Sequence, residues 1–279
     1  MSFDHAVKIR RLANAPMSEA EWQVRCDLAA CYRLAYRNGW DDLIYTHISA
    51  SVPGPLAVSK KPLTASGEAE LRREPEHHFL TNPFGLAFDE ITASNLVKVD
   101  LDGAIIGDTP HGINGAGFVI HSAVHAARDD VGCVMHLHTE AGMALAMLEG
   151  GLRPVSQHAM RFYNRIAYHD YEGLALDADE KTRLVADLGP TNKAMILRNH
   201  GLLTCGATVA EAYVEMFYLE KSASAQLKAM ATGERLAEPS AAVCEKSARQ
   251  FAGDSLRSGE REWPSLIRRL DREDPGYKS

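Results

Sequence analysis

Very little in this sequence belongs to a secreted, membrane-bound or nucleic-acid-binding protein. Its 279 residues include five cysteines, Cys26, Cys31, Cys133, Cys205 and Cys244, an odd number with no CxxC pair. That argues against a disulfide framework or a thiolate metal site and fits reduced thiols in a cytoplasmic setting. No apolar run approaches the ~18 residues that a membrane span requires. The opening stretch, MSFDHAVKIRR, lacks the apolar centre of a secretory signal. Positive charge is not in excess either. A net charge of -7 offers no attraction to nucleic acid or to an anionic membrane. Internal repeats and low-complexity tracts are absent, which excludes solenoid architectures.

What is present is globular patterning. Ser18 to Glu21 form an S-x-x-E capping signal ahead of a helix that Asn38-Gly39 stops. LIYTHISASV is rich in strand-forming residues, and HHFLTNPFG reads as a strand entering a turn. Thr92 caps ITASNL, LVKVDLDG follows as a strand, and GAGFVIHSAVHAARDD has helical periodicity. CVMHLHT is a strand whose following helix starts near Glu140, and KAMILRNHGLLTCG is a strand, turn and strand. Thr208 caps a long helix that ends at Gly233. Trp263, Leu266, Ile267 and Leu270 mark a C-terminal amphipathic helix at about 262–272, suited to docking on the core or on a neighbouring subunit. Residues 54–76 are polar, punctuated by Pro and Gly and without a period, so a long and mobile surface loop is expected there. Interleaved strands and helices predict a single α/β layered domain over 1–279.

His136 and His138 stand one residue apart in the apolar run CVMHLHT. In a strand, side chains at i and i+2 share a face, so two imidazoles lie within reach of one cation. A catalytic zinc-type ion usually takes three protein ligands and keeps one position open. His200, where a strand meets a glycine-containing turn, is the candidate third ligand. The same H-x-H spacing also suits two half-buried histidines with no ion, so convergence of His200 decides the matter. A three-imidazole set suits Zn2+ first, with Fe2+, Co2+, Ni2+ or Mn2+ also compatible.

The motifs DDLIYTHISASVPG, HHFLTNPFG, ITASNLVKVDLDG, NGAGFVIHSAVHAARDDVGCVMHLHT, AYHDYEG and ILRNHGLLTCG occur here in one order. In that order they resemble the class II aldolase/adducin family, above all the adducin head domain and its bacterial relatives. The resemblance spans about residues 18 to 232, interrupted by the insertion at 54–76. It implies a three-layer α/β/α sandwich around a mixed, mainly antiparallel sheet. It also implies a homo-oligomer, expected to be a tetramer, with sites near subunit interfaces. In the aldolase branch the matching histidines bind zinc, which assigns His136, His138 and His200 as ligands. The pairs His77-His78 and His121/His125 have no ligand role in the family.

Departures from the family pattern narrow the chemistry. Gly117 stands where family aldolases carry an acid/base glutamate, and glycine moves no proton. The resulting space is expected to admit a water, a bulkier substrate or a different base. His121, His158, Tyr163 and Tyr171 are the candidates for proton transfer. The family's phosphate-binding turn reads Thr46-His47-Ile48-Ser49, and its later positions read Phe84-Gly85 and Gly115-Ala116. Fewer hydroxyl donors make a phosphate a poor ligand. His47, Ser49, Phe84, Gly85, Asn114 and Gly117 are therefore expected to line a pocket for a small, non-phosphorylated hydroxy-keto compound. The expected activity is a metal-dependent lyase reaction, C–C cleavage or decarboxylation. The alternatives are a non-haem iron oxygenase on the same fold and a non-catalytic, adducin-like binding module. The chain has no Lys-rich tail of the adducin kind, which weighs against a cytoskeletal partner.

Overall fold

The computed structural model describes residues 17–52, 77–173, 178–253 and 258–279. The loop expected at 54–76 lies outside the described residues. Helix α1 (Glu19–Arg37) begins where the Ser18 side chain accepts from the Glu21 N–H. Only half of the capping box forms, because the Glu21 carboxylate turns to Arg25 and Lys98. Strand β1 is shorter than LIYTHISASV suggests and covers His47–Ser51. Leu43 and Thr46 ahead of it sit at φ 54 and 63, so the chain turns there. Bulky and β-branched residues rarely adopt that left-handed backbone, and such strain gathers at functional sites.

The remaining strands are β2 (His78–Thr81), β3 (Val97–Asp100), β4 (Cys133–Leu137), β5 (Ile166–His169), β6 (Ala194–Leu197) and β7 (Gly201–Gly206). They form one seven-stranded sheet in the order β3-β2-β1-β4-β7-β6-β5. Every pairing is antiparallel except β5 with β6, which run parallel. A parallel pair needs a crossover, and helix α5 (Ala178–Leu188) supplies it. The fold is thus the expected mixed, mainly antiparallel α/β/α sandwich. ITASNL is a turn rather than a helix, closed by the Asn95 side chain on the Thr92 N–H.

Strand alternation sends side chains into two different layers. Ile48, Ala50, Cys133, Met135 and Leu137 join α1, α6 (Val209–Met230) and α8 (Glu262–Glu273) in the larger core. Val134, Leu203 and Cys205 face the other way, onto α2 (Gly115–Ala127) and α5. The same period puts His47, Ser49, Ser51 and His136 on the α2 side of the sheet. A row of buried polar groups therefore lies on an otherwise apolar layer, and it must be explained by its partners. The C-terminal helix docks on its own chain. Trp263 and Leu270 enter the larger core, and Trp263 donates from Nε1 to Asp27 at 3.2 Å.

Candidate metal centre and adjoining pocket

His136 and His138 project from the last turn of strand β4 and from the residue just beyond it. His200 is delivered by the three-residue hairpin between β6 and β7, where Asn199 takes the left-handed conformation at φ 56. Asn tolerates that backbone, and short hairpins of this kind require it. Gly201 lets the hairpin come close. A Cβ at that position would lie 2.6 Å from the Leu137 carbonyl and 3.1 Å from the His138 ring.

The three imidazoles converge. One ring nitrogen from each lies within 4.8 Å of the other two, and the three ring centroids stand 4.7 to 4.8 Å apart. His200 closes the group that the H-x-H pair begins. Hydrogen bonds fix which nitrogens face inward. His136 Nδ1–H donates to the Leu202 carbonyl at 3.0 Å, and His138 Nδ1–H donates to Asp42 at 2.9 Å. With both Nδ1 atoms engaged outward, the two Nε2 atoms face each other at 3.1 Å. Such a pair is held together by a shared proton or by a cation placed between them and the third imidazole. Burial, then the neighbouring His200 and His138, holds His136 well below the ordinary imidazole range. Burial likewise brings His200 down to about 4. Neutral imidazoles are the form in which histidine binds a metal. The donor set, tautomers and burial fit a divalent cation.

Asp42 was not among the residues expected from the sequence. It precedes the strained turn at Leu43 and Thr46, which aims its carboxylate at His138. A ligand histidine calls for an acceptor on its outer nitrogen, but nothing in the sequence singles out this acid. Asp42→Ala is expected to weaken metal binding by about 10- to 100-fold with little change in fold. Competition titration against a chelator measures it.

Beside the triad lies a small pocket lined by His47, Phe79, Thr81, Ile113, Asn114, Gly117, Phe118 and His121, with about 10 Å³ of free volume. That is room for about one water. The space over Gly117 leaves no room for a bulkier substrate. His47 fills it: a Cβ on Gly117 would stand 2.1 Å from His47 Nδ1 and 2.4 Å from Cε1. His47 is paired across the sheet with His136 and shares its face. Burial takes His47 to about 4, and both its nitrogens lack a hydrogen-bond partner among the described residues. Thr46 Oγ1, Asn82 Nδ2 and His121 Nε2 are buried and unpartnered as well. Of these, the atoms of His47 and His121 meet in the pocket, and buried polar atoms left without a partner there suit a polar ligand.

The other predicted site residues divide. Gly117, Asn114 and His121 share the pocket with His47. Tyr171 is exposed, with its ring 6.2 Å from that of His200. Ser49 has a different job from the expected ligand contact. It is wholly buried, with His121 and His125 on its hydroxyl, so no surface remains for substrate. His158 packs on Tyr218, and the Tyr163 carbonyl accepts from Arg165, neither contact touching the triad. Phe84 is exposed beside Tyr45 at 6.4 Å, and Gly85 turns the chain at φ 100. The side chain of Ala116 lies outside what the structure describes.

Buried neutral histidines make stability depend on acid. His47 and His125 are held by burial at about 4 and about 3, against 6.5 in an unfolded chain. The unfolded state therefore binds more protons below pH 6.5. Stability is complete above that pH and is lost as pH falls towards 4 and 3. At pH 4.5 each of these two groups is expected to cost on the order of 2–3 kcal/mol. Thermal melts of metal-free protein between pH 7.5 and 4.5 check this, and a flat Tm would count against it.

Three converging imidazoles thus stand beside a small polar pocket in a mixed-sheet α/β fold. The chain belongs to the class II aldolase and adducin family: the family described as Class II Aldolase and Adducin N-terminal domain matches residues 26–227. An aldolase II superfamily protein from Pseudomonas syringae is 48% identical, with a TM-score of 0.83 over 94% of this chain and 98% of that one. L-fuculose 1-phosphate aldolase from Glaciozyma antarctica PI12 is 26% identical, with a TM-score of 0.76 over 95% and 97%. Alpha-adducin of Rattus norvegicus is 38% identical over 94% of this chain, which spans 34% of that protein. No helix among the described residues is long and apolar enough to cross a membrane.

Proposed function

We propose that this protein is a metal-dependent lyase that cleaves or decarboxylates a small, non-phosphorylated hydroxy-keto compound. The observation that carries the reading is the convergence of three ring nitrogens, His136 Nε2 and His138 Nε2 at 3.1 Å with His200 closing the group. A divalent cation held by these three residues, Zn2+ by preference, would supply Lewis acidity to a carbonyl and stabilise an enolate. Asp42 and the Leu202 carbonyl keep the ligands in the tautomer that such an ion needs. His47 takes the place of the family glutamate as the group able to hold a proton beside the substrate. Asn114 lines the adjoining pocket, and Tyr171 stands at the rim of the triad. The few hydroxyl donors at Phe84-Gly85 and Gly115-Ala116 support an unphosphorylated substrate.

Oligomerisation, to a tetramer by the family resemblance, belongs to the same proposal. Leu43, Tyr45 and Phe84 leave apolar surface exposed close to the Asp42 turn, which suits a subunit contact near the site. Zinc-, cobalt- and manganese-loaded protein is to be screened with 2-keto and hydroxy-keto acids for aldehyde or CO2 release. Turnover of fuculose 1-phosphate in preference to every unphosphorylated compound would overturn the substrate class. Absence of turnover with all of them would favour a second reading, a binding module, for which the 38% identity to alpha-adducin speaks.

A further inference from the structure

The polar row on the α2 side of the sheet continues past the pocket as a connected chain of hydrogen bonds. His121 Nδ1 lies 2.6 Å from Ser49 Oγ, which lies 2.7 Å from His125 Nε2. The other nitrogen of His125, Nδ1, stands 3.1 Å from Ser51 Oγ, and Ser51 Oγ is 3.3 Å from His77 Nε2. The inner end is His121 Nε2, buried, unpartnered and in the wall of the Gly117 pocket. The outer end, Ser51 and His77, lines an open cleft of about 600 Å³ together with Arg128, Asp129 and Asp130. Strand period places Ser49 and Ser51 two residues apart on one face, and helix period places His121 and His125 one turn apart opposite them. Each serine thus falls between two imidazoles. A hydroxyl donates and accepts at once, and a neutral imidazole does the same through its two nitrogens.

We propose that His121, Ser49, His125, Ser51 and His77 form a proton relay joining the metal-side pocket to the cleft at the other end of strand β1, along the same face of the sheet. The role rests on the reading that protons are exchanged in that pocket. A proton arrives at His121 Nε2 while the Nδ1 proton passes to the Ser49 oxygen. The Ser49 hydroxyl proton moves to His125 Nε2, and the His125 Nδ1 proton moves to the Ser51 oxygen. The Ser51 proton reaches His77 Nε2, and the His77 Nδ1 proton leaves to solvent. One proton has crossed, no heavy-atom bond has changed, and each imidazole ends in its other tautomer. Burial keeps His121 and His125 in the neutral form that this exchange uses. Ser49, His125, Ser51 and His77 act through His121 and touch neither metal nor substrate, so they are positioning residues.

Exchange of imidazole ring protons with water, followed by NMR on the 15N-histidine-labelled full chain, tests the relay without a metal. In the native protein the His121 and His125 ring protons are expected to exchange faster than the backbone amides of α2 by about one order of magnitude or more. Ser51→Ala and His77→Gln are expected to slow both. Ser49→Ala is expected to slow His121 and spare His125, an asymmetry that simple loosening of the core would not produce. Unchanged ring exchange in both Ser51→Ala and His77→Gln overturns the proposal, and these milder variants carry the test if Ser49→Ala does not fold. A pH jump on cobalt-loaded protein supplies the second arm. The cobalt spectrum should reach the same end point in Ser51→Ala as in the native chain, but about ten-fold more slowly. Protein that takes up no cobalt refutes the metal-centre reading, while ring exchange still decides the relay.

Discussion

His136→Ala is expected to give a folded protein that retains no stoichiometric metal. The native set offers three nitrogens within 4.8 Å of one another, and the variant keeps two, held by a strand end and a hairpin. Loss of a ligand atom should exceed the ~10- to 100-fold that loss of an outer-shell partner costs. Turnover in any successful screen should fall with the metal. The fold should survive, because His136 contributes a buried polar group and the Cys133, Met135 and Leu137 side of β4 carries the packing. The ring removed costs about 2–4 kcal/mol of packing at most, partly offset because a buried imidazole no longer needs desolvation. Elemental analysis with near-ultraviolet circular dichroism reads both halves of the prediction. Metal kept at one per chain would show that the ion, if any, is held elsewhere.

Much of this centre was legible before any coordinates. The alternation of CVMHLHT places two imidazoles on one face, and the glycine after His200 marks a hairpin that lets the third come close. Those are local facts of period and backbone freedom, and local facts survive folding. The capping serine at 18 and threonine at 208 were legible for the same reason. What could not be read was set by contacts distant in sequence. Asp42 reaches His138 across 96 positions, and its neighbours gave no periodic signal. Strand β5 and helix α5 carry few repeating apolar positions, and their pairing is fixed by a parallel partner, β6. Ser49 looked like a ligand contact because the family uses its turn that way. Its true neighbours, His121 and His125, lie 72 and 76 residues away.

Gly117 shows the same limit most sharply and yields the second large effect. Helix propensity alone says that alanine at an interior helix glycine stabilises by about 0.5–1 kcal/mol. Sterics here oppose it, since the new Cβ would meet a buried His47 ring at 2.1 Å. A packed ring has nowhere to go, and overpacking costs about 1–3 kcal/mol. The clash wins, so Gly117→Ala should destabilise, and Gly117→Glu should do so by more than 3 kcal/mol, roughly 6–12 °C in Tm. His47→Asn removes most of the ring and keeps a polar side chain in its place. The Gly117→Glu/His47→Asn double variant should therefore be more stable than Gly117→Glu alone, with a coupling of about 1–3 kcal/mol. Chemical denaturation of the four proteins measures that coupling directly. Strict additivity would mean that His47 moves aside freely and does not stand in for the glutamate. A coupled pair means that the loss of the carboxylate and the gain of the imidazole are one structural event, with a proton-bearing group kept at the same point beside the metal ligands.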